Sequence, residues 1–372
     1  MNQEAAYWIA LANLPKWGPK KTIGLIIRFH HEQKLGIEEF FHLPETAWKE
    51  EYGLPDEDID DLRVAKAELP NNAFLAESLY NEGYEIVPVI APQYSETLKE
   101  NLKSQAPVVL YIKGNRQILQ EQSIAIVGSR TASEVALQFT DNIANLASKE
   151  YKVIVSGFAK GVDKQALDSA IKYKGQSIIV LPQGIMTFGA GFKNYYKQIV
   201  DGDVLVLSTF HPKTPWKVEL AMARNPIIYG LASEIYVAES NDSGGTWYGV
   251  LDGLKKGRKI FVRNPGPEEK NANGQLIEKG AVPVDFNGQV IESYPMPSST
   301  SQAATVLEDS EEYTSKVLEL LKHGRFSTKE IISRINLKVK EEKLREFLKS
   351  CKEVEVVGKK PLTFTIRQKE LF

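Results

Sequence analysis

The sequence predicts a doubly wound α/β protein whose central sheet is mostly parallel. From Ser123 onwards, short and wholly apolar strand segments alternate with helical segments. Such strands are buried on both faces, which is typical of a parallel sheet covered by helices. The predicted strands are Ile124–Val127, Val153–Ser156, Ile178–Leu181, Val204–Leu207, Ile235–Ala238 and Ile260–Val262.

The helices between these strands have the spacing that a sheet-packing helix needs. The first of them is predicted to begin at Ser133, and a second is predicted from Asp163. Apolar residues three to four positions apart lie on one face of a helix and can bury that face against the sheet. On the first helix we expect the following residues on the buried face: Val135, Phe139, Ile143 and Leu146.

The region ahead of this pattern is predicted to hold a helical domain over residues 1–84. Thr22–Gln33 has apolar residues at helical spacing, and Leu14–Lys21 resembles a helix-hairpin-helix turn. Such a turn either binds phosphate at a helix N-terminus or merely connects two packed helices, and the second interpretation is favoured because the motif is short. The strand-like runs Glu85–Ile90 and Val108–Ile112, with a polar helix around Glu96–Lys103 between them, open the core domain, predicted over 85–291.

The end of the chain is predicted to form a separate winged helix-turn-helix domain over residues 311–372. A Ser- and Pro-rich stretch, predicted as a linker over 292–310, precedes it. Three helices followed by two strands are typical of a winged helix. The predicted elements are helices over Tyr313–His323, from Ser327 and over Lys340–Ser350, and strands over Val354–Val357 and Leu362–Ile366.

Length and composition agree with a multidomain globular protein of a reducing compartment. At 372 residues, with 42% hydrophobic and 25% charged residues, the chain predicts two or three domains with ordinary cores. Its single cysteine, Cys351, excludes an internal disulfide framework. No signal peptide or membrane span is evident, so a cytoplasmic location without membrane contact is expected.

The distribution of charge bears on the kind of ligand. The net charge is −2, and residues 311–372 carry 15 Lys and Arg against 10 Asp and Glu. This tail therefore has a charge of +5, and the first 310 residues carry −7. Because the global field does not attract phosphate, a nucleic-acid ligand would need a local basic pocket.

Candidate ligand-binding residues follow the first predicted strand of the sheet. In open parallel sheets, ligands bind beyond the carboxyl ends of the strands. Here Gly128 permits a tight turn, Ser129 and the amides after it are suited to an anion, and Arg130 adds a fixed positive charge. One glycine stands where a dinucleotide fingerprint requires three, so a nicotinamide cofactor is not expected and no cofactor is predicted.

The second predicted strand ends in a similar turn. Ser156 and Gly157 are followed by Lys160 and Gly161 immediately before a helix, so amides, a helix N-terminus and a cation could converge on one phosphate. Asp163 is predicted to be the N-cap of that helix rather than a ligand contact.

A third turn and an intervening segment complete the predicted groove. Arg224 or Lys193 is predicted to extend the phosphate track, and Asn225 to bond backbone or base. Three such turns at one edge of a sheet predict a phosphate-lined groove better than ordinary loop chemistry does. The third turn consists of Ser243, Gly244, Gly245 and Thr246.

These segments resemble the DprA/Smf family in order and spacing over nearly the whole chain. The similarity lies in Ile124–Arg130, Ser156–Asp163, Arg224–Ser233 and Ser243–Thr246, and also in the flanking runs from Tyr94 to Gly114 and from Gly274 to Val284. The resemblance implies a helical N-terminal domain, an extended Rossmann-like core that binds single-stranded DNA, and a winged-helix tail. It also implies homodimers through the core and loading of DNA onto a RecA-type recombinase in natural transformation.

Three positions depart from the family pattern. Leu167 stands where the family commonly has His, Thr209 where it has Glu, and Pro226 where it has the second Arg of an Arg-Asn-Arg run. The last change removes a cation from the expected binding face.

No catalytic or metal-binding constellation is recognisable in the sequence. The five His residues do not pair with one another or with Cys351 at metal-ligand spacing, and no nucleophile elbow or Walker lysine is present. No enzyme activity is therefore expected. The alternative is a nucleotide sensor or phosphoribohydrolase-like enzyme, for which Ser243–Thr246 partly matches a phosphate loop and Glu239 would be the acid.

A third interpretation assigns DNA reading to the winged helix. Its predicted third helix carries four cations, but three carboxylates interrupt them, which disfavours contact with phosphate. Protein–protein contact is the favoured use of the tail. The cations are Lys340, Lys343, Arg345 and Lys349.

Overall fold

The structure is a computed structural model that describes residues 4–292, 317–322, 324–335, 344–345, 348, 354–357 and 363–366. The chain divides into two compact units, Met1–Tyr294 and Pro295–Phe372. The first unit contains both the helical region and the sheet, while the boundaries at 84, 291 and 310 stay predictions. None of the helices in the described part of the chain has the length and hydrophobicity needed to span a bilayer.

A nine-stranded sheet forms the centre of the first unit. Its strands are β1 (Glu85–Pro88), β2 (Val109–Lys113), β3 (Ser123–Val127), β4 (Val153–Ser156), β5 (Ser177–Val180), β6 (Val204–Ser208), β7 (Glu234–Val237), β8 (Lys259–Arg263) and β9 (Val282–Val284). Their order across the sheet is β1-β2-β6-β5-β4-β3-β7-β8-β9. Pairing is parallel from β6 through to β9, whereas β2 is antiparallel to both β1 and β6.

The mostly parallel α/β sheet predicted from the sequence is confirmed. Each of the six predicted parallel strands lies within one residue of the observed one at either end. The sequence did not predict β9, a three-residue edge strand with Pro283 at its centre. Proline is tolerated there because the outer side of an edge strand needs no hydrogen-bond donor.

Helices lie ahead of the sheet and between its strands. They are α1 (Ala5–Ala12), α2 (Pro19–Ile26), α3 (Ile37–His42), α4 (Glu45–Glu50), α5 (Asp56–Ala67), α6 (Leu69–Asn81), α7 (Glu96–Leu102), α8 (Glu134–Lys149), α9 (Val162–Lys172), α10 (Gly189–Asn194), α11 (Tyr196–Val200), α12 (Val218–Ala223), α13 (Asn225–Leu231), α14 (Gly244–Lys255) and α15 (Asn273–Glu278). A π-helical turn, Ile27–Glu32, continues α2, and 3-10 turns lie at Lys103–Gln105, Arg116–Gln120 and Ile185–Thr187.

Helix α8 shows why the apolar spacing predicted the helix but not its exact rotation. Ser133 caps it, since its hydroxyl accepts a hydrogen bond from the Ala136 amide at 3.2 Å. Val135 and Leu146, predicted on the buried face, are 40% and 37% exposed. The face of α8 that packs against the sheet contains small residues, which let the helix approach the sheet closely. These residues determine how the helix is rotated about its axis. The buried stripe is Ala136, Phe139, Thr140, Ile143, Ala144 and Ala147.

Residues 5–81 fold into short helices, as predicted. Their largest buried side chains, Trp8 and Trp48, are no more than 1% exposed and belong to the same core as the apolar residues of β2. Asn13, at the end of α1, donates a hydrogen bond to the Tyr111 hydroxyl of β2 at 3.4 Å. Burial of apolar surface therefore joins the helical region to the edge of the sheet.

The second unit contains two described helical segments and a small antiparallel sheet. Residues 317–322 are helical (α16), and α17 (Thr328–Arg334) begins after Ser327 with a reciprocal cap between Ser327 and Glu330. Strands β10 (Phe326–Ser327), β11 (Val354–Val357) and β12 (Thr363–Ile366) pair in the order β10-β12-β11.

Several predictions about the tail fall on residues that the structure does not describe. The linker predicted over 292–310, apart from residue 292, and Cys351 lie outside the described residues. Within the helix predicted over Lys340–Ser350, the described Leu344, Arg345 and Leu348 are helical.

Candidate nucleic-acid interface

Two neighbouring cavities open at the carboxyl edge of the parallel strands, and a third adjoins them along α13 and α14. The central cavity, about 370 Å³, lies between the turns after β3, β4 and β7. The tryptophan cavity, about 320 Å³, is named for Trp216 and adjoins the turns after β4 and β5. The tyrosine cavity, about 180 Å³, is named for Tyr248 of α14.

Shared walls make the three cavities one continuous row. Arg130 and Arg224 line both the central and the tryptophan cavities. Asn225 and Tyr229 line both the central and the tyrosine cavities. A ligand longer than one residue could therefore extend from one cavity into the next.

The structure brings most of the predicted site residues to this row. Gly157 and Lys160 line the tryptophan cavity. The central cavity is lined by nine of the predicted residues: Gly128, Ser129, Arg130, Arg224, Asn225, Ser243, Gly244, Gly245 and Thr246.

Ser156, Gly161 and Lys193 line none of the three cavities. The Ser156 side chain is buried, and its hydroxyl donates to the Ile126 carbonyl at 3.0 Å. Gly161 has φ of +78°, and a Cβ there would lie 2.3 Å from the Ser129 carbonyl oxygen. Its role is therefore to hold two loops together. Lys193 is exposed on α10, outside the cavity walls.

Arg130 and Lys160 are the free cations of the row. Both side chains are exposed, and neither has an ion pair or side-chain hydrogen bond with any described residue. They lie on the turns after the adjacent strands β3 and β4. Two unneutralised positive charges thus border the tryptophan cavity.

Arg224 has a structural role that the sequence did not predict. Its side chain is 4% exposed, donates to the Gly157 carbonyl at 2.8 Å and lies 3.7 Å from the Asp163 carboxylate. A Cβ at Gly157 would come within 1.5 Å of its guanidinium, so a side chain there would displace Arg224 from this position. The sequence missed this role because Arg224 and Gly157 are 67 positions apart.

Asp163 is likewise not the helix cap that the sequence predicted. The N-cap of α9 is Gly161, and Asp163 lies in the first turn of the helix. Its carboxylate accepts the Ala159 amide at 3.4 Å and faces Arg224. The buried pair therefore fixes the loop that presents Lys160.

Burial is the largest influence on the pKa values of Asp163 and Arg224. It raises the pKa of Asp163, against the opposing effect of the Arg224 charge. It also lowers the pKa of Arg224, where Asp163 opposes the shift and the positive charge of Arg130 adds to it. The two arginines are thus close enough to repel each other, which an anion beside them would relieve.

Two buried polar atoms of residues that line the central cavity lack partners within the described part of the chain. The Nε of Arg224 and the hydroxyl of Tyr229 make no hydrogen bond with any described residue. Both side chains are more than nine-tenths buried. Because an unmade buried hydrogen bond costs about 1–3 kcal/mol, the cavity suits a polar ligand or ordered water.

The amides at the cavity are unevenly available. The Ser129 amide donates to the Glu239 carbonyl at 2.9 Å, and the Thr131 amide donates to the Ser129 hydroxyl at 3.1 Å, so the anion-binding role predicted for this turn is not available to these two amides. Helix α14 begins at Gly244 with no side-chain cap. Its first-turn amides face the cavity region with the positive end of the helix dipole.

Glu239, which would be the acid in the alternative enzyme interpretation, is hydrogen-bonded to the start of α8. It is 8% exposed, and its carboxylate accepts hydrogen bonds from the amide and the hydroxyl of Ser133. It therefore supports the start of α8. The described residues also contain no cluster of three or more His, Cys, Asp or Glu side chains that could hold a metal ion.

Comparison with known proteins identifies the family of this chain. A family model described as "DNA recombination-mediator protein A" matches residues 85–295, more than half of the chain. The chain belongs to this family. The DprA/Smf resemblance is thereby confirmed, and with it a role in DNA processing.

Curated relatives and a solved structure agree with this assignment. The chain is 31% identical to the DNA processing protein DprA of Streptococcus pneumoniae over 192 residues, 51% of this chain and 67% of that protein. It is 26% identical to the protein Smf of Synechocystis over 306 residues, 78% of this chain and 73% of that protein. The crystal structure of the S. pneumoniae DprA matches with a TM-score of 0.57 at 23% identity, covering 75% of this chain and 93% of that one, which shows the shared fold.

Proposed function

We propose that the chain binds single-stranded DNA along the row of three cavities and catalyses no reaction on it. The observation that carries the proposal is the pair of exposed, unpartnered cations, Arg130 and Lys160, on adjacent turns beside the cavities. Each can neutralise one phosphate, and phosphate contacts dominate the affinity of proteins for nucleic acid.

A single strand fits the row better than a duplex does. The cavities are recessed between loops, and they accept groups that project from a flexible backbone. A duplex keeps its bases stacked inside and offers no such groups. The net charge of −7 over residues 1–310 means that binding must come from local contacts rather than from a broad basic surface.

The absence of catalysis is proposed from the groups at the site. Glu239 is engaged with Ser133, and Asp163 with Arg224. Among the described cavity residues, no base lies beside a nucleophile in the arrangement that group transfer needs.

The family description of a recombination mediator supports a biological role in recombination. We expect the protein to protect single strands, to load them onto a RecA-type recombinase in natural transformation, and to form homodimers through the Rossmann-like core. We further expect it to act in the cytoplasm. The change at Pro226 is structurally mild, because Pro226 lies in the first turn of α13, where proline is tolerated.

A winged helix is proposed for residues 311–372. Support comes from the helical residues 317–322, the Ser327-capped α17 and the three-stranded antiparallel sheet around a core that includes Ile331 and Phe364. Protein–protein contact remains its proposed use.

The test measures binding to single-stranded oligonucleotides, duplexes and mononucleotides at two salt concentrations. The proposal predicts preference for single strands that weakens as salt rises, with no turnover of ATP, NAD or nucleoside monophosphates. Tight binding of a mononucleotide, with product release that Glu239→Ala abolishes, would support the nucleotide enzyme instead.

A further inference from the structure

The tyrosine cavity follows the groove between α13 and α14 and leads away from the phosphate-binding turns. One end adjoins the central cavity at Asn225 and Gly245. The other end reaches Arg258, which directly precedes β8 and therefore lies at the amino edge of the sheet. Neither Arg130 nor Lys160, the cations that carry the proposed DNA contacts, lines this cavity. Its far end therefore needs an explanation other than those contacts.

A buried hydroxyl without a partner lies in the wall of the groove. Tyr229 is 7% exposed, and its hydroxyl makes no hydrogen bond with any described residue. A Cβ at Gly249 would lie 2.9 Å from this hydroxyl oxygen, so the glycine leaves the hydroxyl open to the groove. Because a buried hydroxyl without a partner is unfavourable, the site favours an occupant that places a polar atom beside it.

Arg258, at the far end of the groove, is a half-buried cation without a counter-charge. Its guanidinium donates to the Ala232 carbonyl, and no carboxylate of the described residues pairs with it. Asp252, the carboxylate among the residues that line the cavity, is already paired with Lys256 at 2.6 Å. Burial lowers the pKa of Arg258, and a negative charge beside it would offset that effect. The remaining N–H groups of Arg258 are suited to a carboxylate.

The size and the rim of the cavity indicate the kind of occupant. Its volume of about 180 Å³ is below the range of about 300–1,000 Å³ that small-molecule sites occupy, so it suits a group of side-chain size. Tyr248 and Met222, which line it, are 57% and 46% exposed. Exposed aromatic and methionine side chains around a pocket are typical of protein–protein interfaces, in which an anchor residue of the partner fills the pocket.

We propose that the tyrosine cavity binds an acidic segment of a protein partner, which places an apolar side chain beside Tyr248 and Met222 and a carboxylate on Arg258. A backbone carbonyl of the segment would accept the Tyr229 hydroxyl. The apolar rim and the recessed arginine favour this occupant over a DNA phosphate, which binds best to exposed cations such as Lys160. The inference goes beyond the proposed function, because it gives the row a second ligand.

The test selects short random peptides from a displayed library on the full-length protein and measures the enriched peptides singly by fluorescence anisotropy. We expect them to combine a bulky apolar residue with Asp or Glu, and replacement of that acid by its amide to weaken binding about tenfold or more. Arg258→Gln should cause a similar loss. Lys255→Gln removes an exposed cation of α14 that does not line the cavity and should cause none.

A second variant tests the site without a change of charge. Tyr229→Phe keeps the ring and removes only the unpartnered hydroxyl. It should weaken peptide binding about fivefold, the size of one lost neutral hydrogen bond, while the melting temperature stays the same or rises. The effect on binding therefore does not come from a loss of folding.

Three outcomes would overturn the inference. These are a library without enriched peptides, enriched peptides that lack an acid, and equal peptide binding by the parent and both variants. A lower salt slope of single-strand binding in Arg258→Gln would also contradict it, because Arg258 would then be a phosphate contact. Failure of the parent to bind single strands, with peptide binding intact, would contradict the proposed function alone.

Discussion

Two regions of the molecule present a glycine turn, a lysine and the start of a helix, but their charges have different partners. In the helical region, Gly18 precedes α2, and Lys16 and Lys21 pair with Glu57 and Asp58 of α5. At the sheet edge, Lys160 and Arg130 have no partner among the described residues. The local sequences are alike, and the surroundings decide whether the cation is available.

A phosphate motif therefore cannot be judged from its own residues alone. Helix α5 begins with three carboxylates, of which Glu57 and Asp58 neutralise Lys16 and Lys21 of the α2 turn. Lys20 alone of that turn's lysines has no partner among the described residues, so the turn acts mainly as a packed connection. At the sheet edge the buried carboxylates Asp163 and Glu239 are occupied by Arg224 and Ser133.

The largest expected effect concerns the buried pair that shapes the sheet-edge turn. Arg224→Ala leaves Asp163 buried without a counter-charge, and we expect a loss of about 3–5 kcal/mol in the free energy of unfolding. Chemical denaturation measures it. Combining Arg224→Met with Asp163→Leu should cost much less, because no buried charge is left alone. Equal losses in the single and double variants would contradict the assignment of Arg224 as a charge partner.

A smaller effect distinguishes the two glycine turns. Gly161→Ala forces alanine to φ of +78° and places its Cβ 2.3 Å from the Ser129 carbonyl oxygen. We expect a loss of about 2 kcal/mol or more in stability. Gly18→Ala meets no atom within 4 Å and has an ordinary negative φ, so its cost should stay below about 1 kcal/mol. The ratio of the two thermal shifts tests whether only the sheet-edge turn is tightly built.

Loss of a free cation should affect binding rather than stability. Lys160→Ala is expected to weaken single-strand binding about tenfold, as loss of one charge-assisted contact does. Lys193→Ala removes an exposed lysine outside the three cavities and serves as the matched control. Fluorescence anisotropy with a labelled strand measures both. A larger effect from Lys193 than from Lys160 would move the track away from the cavities.

The smallest expected effect is at the neutralised turn. Lys16 and Glu57 form an exposed pair at 3.3 Å, with side chains 83% and 74% exposed. Lys16→Ala should change the free energy of unfolding by less than about 1 kcal/mol, and single-strand affinity not at all. Weaker DNA binding by this variant would show that the helical turn takes part in the interface.

The sequence predicted the sheet and its loops better than it predicted the roles of single residues. Wholly apolar segments predicted β3 to β8, and the carboxyl ends of these strands predicted where the central and tryptophan cavities open. Both predictions depend on local patterning of the sequence. The partnership of Arg224 with Gly157 and Asp163 depends on distant segments and was not predictable. Trp216 was also missed, although a tryptophan between Lys213 and Lys217 in a proline-containing loop is a signal that could have been used.

The most direct test of the account is the salt dependence of single-strand binding in matched variants of the two turns. Each phosphate contact contributes about 0.7 to the slope of log affinity against log salt for single strands. Arg130→Ala is predicted to lower the parent slope by about that amount, and Lys21→Ala to leave it unchanged. An unchanged slope in Arg130→Ala, with a reduced slope in Lys21→Ala, would place the phosphate contacts in the helical region and contradict the account.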